Sequence, residues 1–182
     1  HEHQDLDKII HFIQFEHNIF NISLWGRSMG AVTSILYSYR HSFNITGMVL
    51  DSPFLSLQKS VLNLAKNRLG ISNLLTKILL TLIEGKIKKK IGFDIINLNL
   101  EKIIKKIKVS TLLIGSKNDD LVSYEDFEYI YKNIESKNTK MILTQKEHNE
   151  AREFEIIADA FHYLLSIIFI NKIPSRNEII DI

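Results

Sequence analysis

Apolar positions recur along this chain in two rhythms, one helical and one too short and continuous for a helix. Leu6, Ile9, Ile10 and Ile13 fall at helical spacing behind the acidic Asp5, which predicts an opening amphipathic helix. Ile19 to Trp25 is a short, mostly apolar run and predicts a buried strand. Gly26 to Gly30 then reads as a tight turn, and Ala31 to Arg40, free of Gly and Pro, as a helix. A second strand is predicted at Ile45 to Leu50, closed by Asp51-Ser52-Pro53, where the proline biases Ser52 away from helix. Leu57 to Leu69, Asn73 to Lys90 and Leu100 to Lys106 carry helical patterns with no strand among them. Alternation resumes with a strand at Thr111 to Ile114, a helix at Tyr124 to Asn133, a strand at Lys140 to Leu143 and a helix from Glu153 to Ile170. Strands alternating with helices of this length predict a mostly parallel sheet covered on both faces. The expected division is a core over 1–54, a helical cap insertion over 55–108, a returning core over 109–170 and a tail over 171–182.

Composition narrows this picture. At 182 residues the chain fits one domain, and 45 % hydrophobic against 24 % charged residues excludes the balance of a disordered chain. A net charge of +2 is too small to argue for nucleic acid as a partner. The lysines are nevertheless clustered: Lys86, Lys88, Lys89, Lys90, Lys102, Lys105, Lys106 and Lys108 lie in or beside the insertion. They read either as a solvated face or as a surface for anionic membrane. Absence of cysteine excludes disulfides, thiolate catalysis and thiolate metal sites, and leaves the cytosol as the default compartment. His1-Glu2-His3-Gln4-Asp5 has no charged-then-apolar leader and no initiating Met, so the terminus is expected to be cut; two histidines there make a weak metal site. Ile156 to Ile170 is shorter than a membrane span and carries Asp159 and His162, which predicts a core helix. Asn21-Ile22-Ser23 and Asn44-Ile45-Thr46 border strands and are taken as chance glycosylation matches.

The chemistry concentrates at three places. Gly26-Arg27-Ser28-Met29-Gly30 joins a predicted strand to a predicted helix, so a serine hydroxyl there would stand at the carboxyl edge of the sheet. Such a turn is sharp, and glycines on either side are expected to keep it free of Cβ clashes. A hydroxyl is a poor nucleophile unless a histidine takes its proton and a carboxylate holds that histidine in the right tautomer. Both kinds of residue follow later strands: Asp119 in Gly115-Ser116-Lys117-Asn118-Asp119 and His148 in Lys146-Glu147-His148-Asn149.

Leu24 to Thr33, Val49 to Phe54, Thr111 to Val122 and Glu147 to Glu150 together resemble the α/β-hydrolase superfamily, and within it the serine aminopeptidase-like, BEM46-like branch. The resemblance spans Asp5 to Ile170. It implies an α/β-hydrolase fold with a helical cap, and a serine hydrolase cleaving esters, thioesters or amides without metal or organic cofactor. Ser28 is then the nucleophile, Asp119 the acid and His148 the base, with the Met29 N–H as one oxyanion donor. It also implies strands ahead of the first helix, one of whose loops supplies the second oxyanion N–H; the chain is therefore expected to lack the first strands of the sheet. The partner implied is a small-molecule or acylated substrate.

Each residue has an ordinary alternative. Ser28 is also placed as a helix N-cap, and His148 as a surface loop histidine. Asp120 competes with Asp119, although the Asp119-x-x-Val122 spacing favours the first. Asp51 ends a strand and is a weaker rival for the acid, with a loop or capping role expected instead. His11, His17, His41 and His162 lie on helices or their ends and are given no role.

Overall fold

A computed structural model describes residues 2–81, 99–136 and 138–170. Helix α1 (Glu2–His17) leads to strand β1 (Ser23–Arg27), helix α2 (Met29–Arg40) and, after a 3-10 turn at Ser42–Asn44, strand β2 (Gly47–Asp51). Helix α3 (Leu57–Leu69) follows, then a helical stretch α4 (73–81). The short helix α5 (Glu101–Ile104) precedes β3 (Ser110–Ser116), α6 (Tyr124–Asn133), β4 (Thr139–Thr144) and α7 (Phe154–Ile170). The predicted helix over Asn73 to Lys90 is thus observed to residue 81, and its remainder, like the tail 171–182, lies outside the described residues.

The four strands form one parallel sheet in the order β1-β2-β3-β4. Alternate residues of a strand face opposite sides, so the buried strands feed two cores. Met48, Leu50 and Leu113 point to the side covered by α1, α2, α5 and α6, where Ile10, Ile35, Ile104 and Phe127 are buried with them. Val49, Leu112 and Ile114 point to the other side, where α7 contributes Ile156, Ala160, Tyr163 and Ile167.

Element ends depart from the sequence reading in one informative place. The first strand is Ser23–Arg27 and not Ile19 to Trp25, because β1 pairs residue for residue with Gly47–Asp51 and the chain before β2 is taken up by the 3-10 turn. Residues Ile19 and Phe20, deprived of a partner row, are 50 % and 62 % exposed. Gly26 and Arg27 are accordingly strand residues, paired with Leu50 and Asp51, and the turn is confined to Ser28.

Candidate active site

All the site's residues come from the carboxyl ends of the parallel strands. β1 ends at Arg27, α2 begins at Met29, and Ser28 alone makes the turn, with φ 53° and ψ −114°. Its N–H donates to the Asp51 carbonyl at 2.8 Å, continuing the β1-β2 ladder by one bond. Gly26 makes the turn feasible, since a Cβ there would overlap the Gly30 carbonyl and the Ala31 nitrogen. Gly30 is different: nothing lies within 4 Å of a Cβ placed on it, so the expected constraint on both flanking glycines falls on the first alone. Ser28 also does not cap α2, because its side chain accepts no bond from the helix and its backbone lies outside the usual N-cap region. As the first residue of α2, Met29 presents an N–H at a helix start, where no intrahelical acceptor is available.

The Ser28 hydroxyl oxygen lies 2.9 Å from His148 Nε2. On the other side of the ring, His148 Nδ1 lies 2.8 Å from Asp119 Oδ2 and 3.1 Å from Oδ1. A carboxylate can only accept, so Nδ1 carries the proton and Nε2 is left to accept from the Ser28 hydroxyl. The pair is dry: the side chains of His148 and Asp119 are 4 % and 2 % exposed. Burial by itself raises the Asp119 carboxyl, but the hydrogen bond and charge of His148 with the N–H groups of Val122 and Leu121 outweigh it and hold the group below the usual carboxylate range. Those N–H groups donate to Asp119 Oδ1 at 2.8 and 3.0 Å, closing a turn that aims the carboxylate at the ring.

The rivals are engaged elsewhere. Asp120 pairs with Arg68 of α3, through the guanidinium Nε. The Asp51 carboxylate, 4 % exposed, accepts from Arg152 Nη2 at 2.8 Å and from Arg152 Nε at 3.1 Å on both oxygens, and lies 3.5 Å from Arg27 Nε. Neither faces the imidazole, and Asp51 is the centre of an ion cluster in place of the expected capping group. Arg152 also donates to the Glu147 carbonyl at 3.0 Å and the Ser52 hydroxyl at 3.0 Å. Arg27 Nη2 donates to the His148 carbonyl and, at 2.7 Å, to the Glu150 carbonyl. These arginines escaped the sequence reading, and no local pattern marks them.

Other histidines sit apart from this centre: His41 stacks on Tyr37 at 4.7 Å, and His11 and His41 approach Asp7 at 3.7 and 3.8 Å. Among the described residues no group of three or more His, Asp or Glu is arranged to hold a metal ion, and no helix is long and apolar enough to cross a membrane.

A parallel sheet between helical layers, with a serine on a strained turn after one strand and acidic and histidine loops after later ones, is the α/β-hydrolase fold, and the chain has it. More particularly, residues 2–91 match the family described as Serine aminopeptidase, S33. Among similar solved structures is the esterase Pf2001 of Pyrococcus furiosus, 21 % identical with a TM-score of 0.67 over 89 % of this chain and 60 % of that one. Acetyl xylan esterase 1 of a Thermoanaerobacterium species is 19 % identical, with a TM-score of 0.64 over 91 % of this chain and 52 % of that one. The monoacylglycerol lipase of Paleococcus ferrophilus is 20 % identical, with a TM-score of 0.60 over 91 % of this chain and 74 % of its own. The chain therefore spans 60 % of the length of the Pyrococcus esterase. A comparison with curated proteins by sequence found no match.

Proposed function

We propose that this chain carries the nucleophile, base and acid of a serine hydrolase that cleaves a carboxylic ester, thioester or amide through an acyl-enzyme. One observation carries the reading: the unbroken run from the Ser28 hydroxyl to His148 at 2.9 Å and on to Asp119 at 2.8 Å. In the first half, the Ser28 oxygen bonds to the substrate carbonyl carbon while its proton passes to His148 Nε2. The tetrahedral oxyanion is met by the Met29 N–H. Collapse expels the alcohol, thiol or amine, which takes the proton back from Nε2. Water then repeats the sequence in reverse roles, freeing the acid and Ser28. Asp119 stays ionised throughout and steadies the imidazolium.

An acylated small molecule is favoured over a peptide, since Leu69, Leu74, Leu75, Ile78 and Leu79 expose an apolar surface on α3 and α4 that suits an acyl chain. Within the α/β-hydrolase superfamily, the segments that carry the sequence resemblance are what supports reading the chain as a BEM46-like member. A second oxyanion donor is expected on this reading, and removing one such donor costs about 100- to 1,000-fold in turnover.

Labelling with a fluorophosphonate serine-hydrolase probe tests the reading. The whole protein is expected to label, and Ser28→Ala to lose labelling completely. No labelling of a folded whole protein, or labelling that survives Ser28→Ala, would turn the assignment to a non-catalytic binding protein built on the hydrolase fold.

A further inference from the structure

The base stands on the loop between β4 and α7, and α7 does not begin until Phe154. A loop of that length has no ladder of its own, so something else must fix the histidine to within a fraction of an ångström. Three of its backbone carbonyls are gripped by two guanidinium groups: Glu147 by Arg152, and His148 and Glu150 by Arg27. Both guanidinium groups converge on one buried carboxylate, that of Asp51 at the end of β2. Arg152 takes both carboxylate oxygens with its planar fork, an arrangement lysine cannot reproduce. The carbonyl of the same Asp51 receives the Ser28 N–H. Asp51 thus holds the nucleophile's turn by its main chain and the base's loop by its side chain.

We infer that Asp51, Arg27 and Arg152 are positioning residues for His148, setting the Ser28 to His148 distance without touching the reacting atoms. The inference rests on the hydrolase reading for its importance to turnover, though not for the geometry it describes. Removing the carboxylate's charge leaves two guanidinium groups without their shared anchor, and the carbonyls they hold are freed to move. A displacement of about 1 Å at the base is enough to slow acylation on the order of 100-fold.

The test uses the whole protein with Asp51→Asn, and reads two signals. The first is the downfield proton resonance of His148 Nδ1–H in its bond to Asp119, which needs no turnover. It is expected in the wild type and lost or broadened in Asp51→Asn at temperatures where the far-UV dichroism is unchanged. The second is the fluorophosphonate labelling rate, expected to fall about 100-fold. Where Asp51→Asn does not fold, Arg152→Lys, which keeps the charge and loses the fork, is read by the same two signals. A sharp resonance and an unchanged rate in a folded variant overturn the positioning role, as does a wild type without the resonance. A wild type that shows the resonance but never labels sinks the hydrolase reading instead, and the resonance of the variants alone then decides this one.

Discussion

Ser28 sits at φ 53° and ψ −114°, a backbone setting that costs a non-glycine residue about 1–3 kcal/mol and persists only where its surroundings enforce it. The enforcement is local: the N–H bond to Asp51 at 2.8 Å and the close pass of the Gly30 carbonyl over Gly26. Gly26→Ala is therefore expected to destabilise the chain by at least about 3 kcal/mol, read as a drop in the denaturant midpoint. Gly30→Ala is expected to be neutral or to stabilise this chain by up to about 1 kcal/mol, because the position is helical and a Cβ there meets nothing within 4 Å. Equal losses from the two would mean that the turn is not built as described. The motif's letters do not separate these two glycines; only the path of the backbone does. The same holds for Asp119 and Asp120, adjacent carboxylates of identical chemistry that a spacing pattern ranked and a turn of backbone N–H groups distinguishes. Arg27 and Arg152 were illegible for a plainer reason. Their partners lie 121 and 101 residues away, and nothing in the sequence brings such positions together before the sheet order is known.

Among the elements, α3 is tied to the acid loop by side chains one turn apart. Asn63 and Asn67 donate to the carbonyls of Leu121 and Asp120 at 3.5 and 3.1 Å, and Arg68 pairs with Asp120 and, at 3.5 Å, with Glu147. Both ends of the helix are capped: the Ser56 hydroxyl accepts the Lys59 N–H, and Gly70 closes the last turn in the left-handed region at φ 64°. Arg68 is 45 % exposed, so water screens its pairs and Arg68→Ala is expected to leave the denaturant midpoint nearly unchanged. Its effect should fall on the loop instead: amide hydrogen exchange at Leu121 and Val122, whose N–H groups aim Asp119, is expected to rise several-fold. Unchanged exchange would show that the helix merely rests on the loop. Helix α3 itself was legible from its period over Leu57 to Leu69, whereas the strand limits were not. An apolar run such as Ile19 to Trp25 can be read in more than one register, and β2 alone decides which five residues find partners.

Across the whole molecule, β1 to β4 belong to one hydrogen-bonded sheet with a core on each face, so the described residues should unfold as a unit. The chain has one tryptophan, and Trp25 lies on β1 at the sheet's edge with its ring edge-on to Phe161 of α7 at 5.2 Å. Its fluorescence and the far-UV dichroism are expected to change in a single coincident denaturant transition. An earlier fluorescence transition would mean that β1 opens by itself and that the turn bearing Ser28 is the weakest part of the fold. The parallel architecture was legible because strands and helices alternate with hydrophobic runs of the right lengths; which strand stands beside which was not, since period alone carries no order, and the structure supplies it. That order has a consequence of its own. Ser28 leaves β1 while His148 leaves β4, three strand spacings away, or about 14 Å. The residues from 145 onward must cross the open ends of β2 and β3 like the deck of a bridge, with Asp119 and the two arginines as its piers. A deck has a fixed length: removing one residue from it shortens the reach by about 3.3 Å, more than a hydrogen bond can stretch. The count of residues between Thr144 and His148 is therefore as much a part of this site as the histidine itself.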